Sequence, residues 1–204
     1  MSLLSDQEAQ QVAEVISEVE RHTDAELVTV LARQSDEYYY IPTLWAAVLA
    51  LLAPAMLKLT PFWLETDDVL IVQLGVFLSI ALLFRIPWIL RHLIPGSVKR
   101  RRASNLAKRM FLENNLHHTR NETGVLIFVS ETEHYVEIIA DRGINDKVAA
   151  ETWDMIVGEF TTSMKQGRVQ EGLVSMIEAC GELLHEHVPA TTEKNELPDH
   201  LILI

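Results

Sequence analysis

IPTLWAAVLALLAPAMLKL, residues 41–59, runs nineteen positions with one charge, Lys58, beside its end. At 1.5 Å per residue a helix over this stretch is roughly 28 Å long, close to the hydrocarbon thickness of a bilayer. A second run, VLIVQLGVFLSIALLF (residues 69–84), is uncharged. It reaches about Leu90 if Arg85 extends its guanidinium to the headgroups. Thr60–Asp68 between the two holds Pro61, Glu65, Asp67 and Asp68 and reads as a short polar turn. Helices this apolar on every side exceed what a small domain can bury, so the pair predicts a transmembrane hairpin over about 41–59 and 69–90. Tyr38, Tyr39, Tyr40 and Trp45 stand at one entry, Trp88 at the matching exit, and Phe62 with Trp63 at the turn, as interfacial aromatics do. Pro42 and Pro54 fit near a helix start or as kinks.

The flanks orient the hairpin. Arg85, Arg91, Lys99, Arg100, Arg101, Arg102, Lys108 and Arg109 follow the second run, and residues 85–109 hold no acid. The turn is acidic. The positive-inside rule then predicts an integral protein of the cytoplasmic (inner) membrane, with both termini and the soluble domain cytoplasmic. The same bases suit anionic lipid headgroups. With 29 acids against 17 Lys and Arg, the net charge is −12, which argues against a nucleic-acid binder. The single cysteine, Cys180, excludes an intrachain disulfide and suits a reducing compartment. Met1–Gln10 lacks the basic-then-apolar pattern of a signal peptide, so the internal segments are expected to drive insertion.

Outside residues 38–95 the patterning is that of an α/β domain in two pieces, 1–37 and 96–188, with a tail over 189–204. Ser5 to Glu8 reads as a capping box, followed by Val12, Val15, Ile16 and Val19 at helical spacing. Glu26–Leu31 reads as a strand that leads into the hairpin. Beyond the hairpin, Ala103–Leu116 reads as helix. Gly124–Val129 is a central strand, nearly all apolar, and Tyr135–Ala140 its antiparallel partner across a short turn. A helix to about Lys165, capped by Asn145 or Asp146, and another over about Gln170–His187 complete the set. Leu173, Ile177, Cys180 and Leu184 are the buried stripe of the last. The hairpin is thus an insertion after the first strand of one fold.

Thr23–Val28, Thr123–Ile127, the run Val136–Ile144 with its Asp141-Arg142-Gly143, and Gly167–Leu173 between two helices together resemble the TPM-domain family. Asn195-Glu196-Leu197-Pro198-Asp199 is similar to the ending of its bacterial membrane-anchored members. The resemblance covers most of residues 5–188. It implies an α/β fold with a small mixed sheet packed between helices. The family is associated with photosystem repair in plants, with proposed acid phosphatase activity and divalent-metal binding, and with a receptor-accessory membrane protein in animals. Many members place the domain on the other side of a membrane from the one inferred here. Roles that diverse do not transfer by fold.

Asp141, Asn145 and Asp146 form an oxygen-rich loop that is a candidate for calcium or magnesium, with Glu131 and Glu133 on the neighbouring turn as further donors. Turn and capping chemistry explains the same residues, with Gly143 supplying a positive φ. His117-His118 and the pair His185 and His187 invite a transition metal, but positions i and i+2 of a helix point apart, so surface histidines at element ends are expected. Cys180 is read as packing. No phosphatase, hydrolase-elbow, zincin or P-loop motif occurs. The expectation is a membrane-tethered accessory or interaction module that meets another membrane protein, with enzyme status left open. The alternatives are a divalent-metal-dependent phosphatase at the 141–146 loop and an anionic-lipid-associated structural protein. Leu201, Ile202, Leu203 and Ile204 are an apolar end able to add as a strand, to a partner's sheet or to this chain's own.

Overall fold

In a computed structural model that describes residues 4–59, 65–119, 121–191 and 200–204, the chain divides into two compact units. One comprises Met1–Ser35 with Arg100–Ile204, the other Asp36–Lys99. The turn residues 60–64, with Phe62 and Trp63, and the Asn195–Asp199 stretch lie outside the described residues.

The first unit is built on β1 (Glu26–Ala32), β2 (Gly124–Ser130), β3 (Tyr135–Ala140) and β4 (His200–Leu203) in the order β3-β2-β1-β4. β2 and β4 both run parallel to β1, and β3 is antiparallel to β2, so the sheet is mixed. Every residue of β1 and β2 is buried, as a sheet covered on both faces requires. Alternation divides them. Leu27, Leu31, Val125, Ile127 and Val129 join one core with α1 (Asp6–Glu20), α7 (Ala150–Lys165) and α8 (Val169–His187). Val28, Val30, Leu126 and Phe128 face the other way, onto α5 (Gly96–Glu113) through Ala103, Leu106, Ala107 and Phe111. The architecture is therefore helices, mixed sheet, helix, with α1 and α8 side by side.

Local chemistry matches several sequence signals. Ser5 and Glu8 form a complete capping box, the Ser5 N–H donating to Glu8 Oε2 at 2.7 Å. Leu173, Ile177, Cys180 and Leu184 are each fully buried along α8. Two readings change. Asp141, not Asn145 or Asp146, acts as an N-cap, and it caps the short α6 (Arg142–Asn145); α7 begins after Ala149 with no side-chain cap. Gly143 does not have a positive φ; among the described glycines only Gly167 does, at 75°. A Cβ on Gly143 would instead lie 2.3 Å from the Asn121 carbonyl oxygen. Close approach is its reason.

In the second unit α2 (Tyr40–Leu57) and α3 (Thr66–Leu83) are long and apolar enough to cross a membrane. They pack on each other, yet α3 has no buried residue and α2 buries only Ile41, Pro42, Ala46 and Ala50. Ala46 and Ala50, one turn apart, let a neighbouring helix come close. The second apolar helix stops earlier than about Leu90: α3 ends at Leu83, and α4 (Pro87–Leu93) starts anew with Pro87 in its first turn. Proline disfavours helical backbone at the residue before it and needs no N–H at a helix start. Ile86 is accordingly extended, with ψ at 122°. Tyr38, Ile41 and Ile94 form a small cluster within this unit.

Candidate functional site

The 141–146 loop is held by its own hydrogen bonds. The Arg142 N–H donates to Asp141 Oδ1 at 2.8 Å, the Asn145 amide donates to the Ala140 carbonyl at 2.6 Å, and Asp146 follows the last residue of α6. These are capping and turn contacts. Glu133 is likewise engaged in the adjoining turn, accepting from the Ser35 N–H at 3.1 Å and from the Ser130 hydroxyl. Among the described residues no three His, Cys, Asp or Glu side chains are gathered to hold a metal ion. The contacts of Asp141 and Asn145 are those of a cap and a turn, and calcium or magnesium at this loop stays an expectation from the sequence.

The other sequence candidates are placed separately. Arg85 follows α3, Arg91 is in α4, and Lys99, Arg100, Arg101 and Arg102 open α5, where Arg100 and Arg101 are exposed. His200–Leu203 forms β4 on this chain's own β1, with Leu201 turned to one core and Ile202 to the other, and Leu203 and Ile204 half-exposed. Cys180 is buried, and burial pushes its thiol up to about 12, so it is no nucleophile at neutral pH. Beneath α5, the Ser104 hydroxyl donates to Glu137 Oε1 at 3.4 Å beside Tyr135, whose phenol is raised chiefly by burial.

One constellation had no signal in the local sequence. Gln170 bonds to Gln11 near the start of α1, while Gly181 lies against Val19 near its end, so α1 and α8 run side by side in the same direction. Their later halves bound an open cleft of about 400 Å³ lined by Glu18, Val19, His22, Glu178, Gly181, Glu182 and His185. Gly181 makes it: a Cβ there would lie 2.7 Å from Val19 Cγ2, so only glycine lets the helices meet this closely. The turn after α1 is fastened to the end of α8. Thr23 Oγ1 donates to the Val188 carbonyl at 2.5 Å, and the Ala190 N–H donates to the His22 carbonyl at 3.2 Å.

Both imidazoles are oriented by main-chain oxygens. His22 Nδ1 is 2.8 Å from the Glu18 carbonyl, and His185 Nδ1 is 2.8 Å from the His22 carbonyl. A carbonyl only accepts, so Nδ1 is the donor in each contact, and Nε2 is the nitrogen that carries the lone pair in the neutral form of either ring. The rings stand edge to face with centroids 6.4 Å apart.

A small mixed sheet covered on one face by α5 and on the other by α1, α7 and α8 defines the class of the fold. Within it, residues 91–183 match the sequence model of the TPM domain. That segment is similar to the TPM domain, the family that the strand motifs resemble. The NMR structure of BA42 protein from the psychrophilic bacterium Bizionia argentinensis is similar to it with a TM-score of 0.60 and 19% identity, over 98% of this chain and 94% of that one. No curated protein matches the chain. Glu18, His22 and His185 lie outside the matched residues 91–183.

Proposed function

We propose that the chain is a membrane-tethered TPM-domain module of the cytoplasmic membrane, held with its α/β unit on the cytoplasmic side and acting by contact with another membrane protein. The observation that carries this reading is α3, which packs on α2 yet has no buried residue among the 18 from Thr66 to Leu83 and leaves Leu70, Ile71, Leu74, Leu78 and Leu82 more than half exposed. Such a surface is stable in hydrocarbon and an aggregation liability in water. Basic residues from Arg85 to Arg109 follow it and favour the cytoplasmic side, with anionic headgroups as secondary ligands. The chain enters the apolar unit after β1 and returns at α5, so the two units share two covalent connections. The calcium or magnesium phosphatase alternative lacks an assembled carboxylate set among the described residues.

Extraction of native membranes tests the tether. The full chain stays in the pellet through an alkaline carbonate wash. Leu74→Arg with Leu78→Arg, at positions 59% and 51% exposed, abolishes stable insertion, because each arginine costs about 2.5–3.5 kcal/mol at a membrane helix centre. In a water-soluble protein the same exposed substitutions are harmless. Wild-type chain released by carbonate would remove the proposal. Partners retained at the membrane are then identified by cross-linking in place.

A further inference from the structure

We propose that the cleft between α1 and α8 is a binding site for a divalent transition-metal ion of the zinc type, held by His22 and His185 and completed by a carboxylate of Glu18, Glu178 or Glu182. The site is separate from the 141–146 loop and from the apolar helices, and the inference does not rest on the membrane reading.

Three observations converge. The first is the state of the two rings. Histidine ligands of metals characteristically donate their second ring nitrogen to a carbonyl or carboxylate, which fixes the tautomer and aims the other nitrogen at the ion. His22 and His185 already do so, at 2.8 Å each, and the carbonyl that orients His185 belongs to His22 itself. The two are thereby fixed to one turn. Among the described residues no hydrogen bond occupies Nε2 of either ring.

The second is electrostatic. Three glutamates line the cleft with the two histidines, and the lining holds no lysine or arginine. Arg21 pairs with Glu18 at 2.7 Å, an exposed contact that yields readily. The cleft also lies at the later ends of two helices that run in the same direction, where the helix dipoles favour positive charge. A cation is the occupant this lining selects.

The third is reach. With Zn–N near 2.0–2.1 Å, two imidazoles on one tetrahedral ion have centroids roughly 5 Å apart. The observed 6.4 Å therefore calls for a closing of about 1 Å, within a side-chain adjustment of rings as exposed as His22, whose side chain is 61% accessible. The carboxylates have the same freedom, Glu18 being 59% accessible. No three ligands are gathered in advance among the described residues, so binding draws the third in. Two imidazoles with a carboxylate suit zinc, copper or nickel and not calcium or magnesium, which take oxygen. Cys180, although on α8, is buried and protonated and takes no part.

The test is a Zn²⁺ titration of the purified full chain, followed by calorimetry and by the nitrogen chemical shifts of the histidine rings. We expect one ion per chain, a shift at Nε2 but not at Nδ1 of His22 and His185, and no competition from Ca²⁺. His22→Asn and His185→Gln each weaken binding at least tenfold, with metal-free melting temperatures near that of the wild type. The control is His117→Ala with His118→Ala, a neighbouring-ring pair with centroids 4.0 Å apart elsewhere in the fold, and it leaves affinity unchanged. Overturning results are no binding to wild type, loss of binding in the His117/His118 control instead, or shifts that spare His22 and His185.

Discussion

Alanine at Gly181 and alanine at Gly158 are predicted to have opposite signs, although both glycines lie inside helices of the same unit. Glycine in a helix interior is destabilising relative to alanine by roughly 0.5–1 kcal/mol, so each substitution begins with that gain. At Gly158, exposed on α7, an added Cβ meets nothing within 4 Å, and the gain is realised in full. At Gly181 the Cβ would lie 2.7 and 2.8 Å from the two Val19 methyls, closer than carbon atoms can pack. Valine in a helix has one strongly preferred χ1 rotamer, so the methyls cannot turn aside and α1 must move off α8. Overpacking of this kind costs about 1–3 kcal/mol, leaving a net loss of about 1 kcal/mol. For a chain of this size that is about 2–4 °C in melting temperature, downward for Gly181→Ala and upward for Gly158→Ala. Thermal melting of the full chain in detergent, followed by circular dichroism at 222 nm, reads both. Val19→Ala combined with Gly181→Ala relieves the clash and recovers part of the loss. Equal stabilisation by both alanines would refute the close α1–α8 packing on which the histidine cleft depends.

Two further outcomes follow from buried and capping groups. Thr29 is fully buried in β1 and its hydroxyl has no hydrogen-bond partner among the described residues, so Thr29→Val, nearly the same shape, raises stability by about 1 kcal/mol in chemical denaturation. The Ser5 main-chain N–H, and then its hydroxyl, hold the Glu8 carboxyl below its ordinary value of 4.5. A carboxyl lowered in the folded state contributes fully above that ordinary value and loses its contribution as pH falls through the lowered one. Glu8→Gln is therefore destabilising at neutral pH, and its deficit against the wild type shrinks on acidification below about 4.5, as melting curves across pH will show.

Much of this fold was legible because its signals are local. The unbroken apolar run of Gly124–Val129 is the buried β2, the three- and four-residue steps of Leu173, Ile177, Cys180 and Leu184 are a fully buried stripe, and Ser5 with Glu8 closes as a capping box. Hydropathy alone carried the second apolar run past Phe84. Backbone chemistry ended it, because Pro87 forces the residue before it out of the helix. Gly143 departs from its sequence expectation for the opposite reason: its constraint is the Asn121 carbonyl folded against it, which depends on tertiary approach. The candidate site was the least legible part. Local spacing sets His185 against His187, two positions along the helix, whereas its partner is the His22 carbonyl, 163 residues away in sequence. No periodicity reports a contact of that separation. A glycine on an otherwise apolar helix face, as at Gly181, was the one available hint that another helix comes close there.

The central claim, that the α2–α3 unit crosses a bilayer and leaves the α/β unit in the cytoplasm, is tested most directly by single-cysteine accessibility in intact cells. Cys180 is buried, with its thiol pushed up to about 12, and gives a silent background in the folded chain. Asp67→Cys, exposed at the start of α3, and Glu113→Cys, exposed at the end of α5, place one thiol on each unit. The account predicts that a membrane-impermeant maleimide labels Asp67→Cys from outside and reaches Glu113→Cys only after the membrane is permeabilised. Labelling of Glu113→Cys in intact cells, with Asp67→Cys protected, would contradict it.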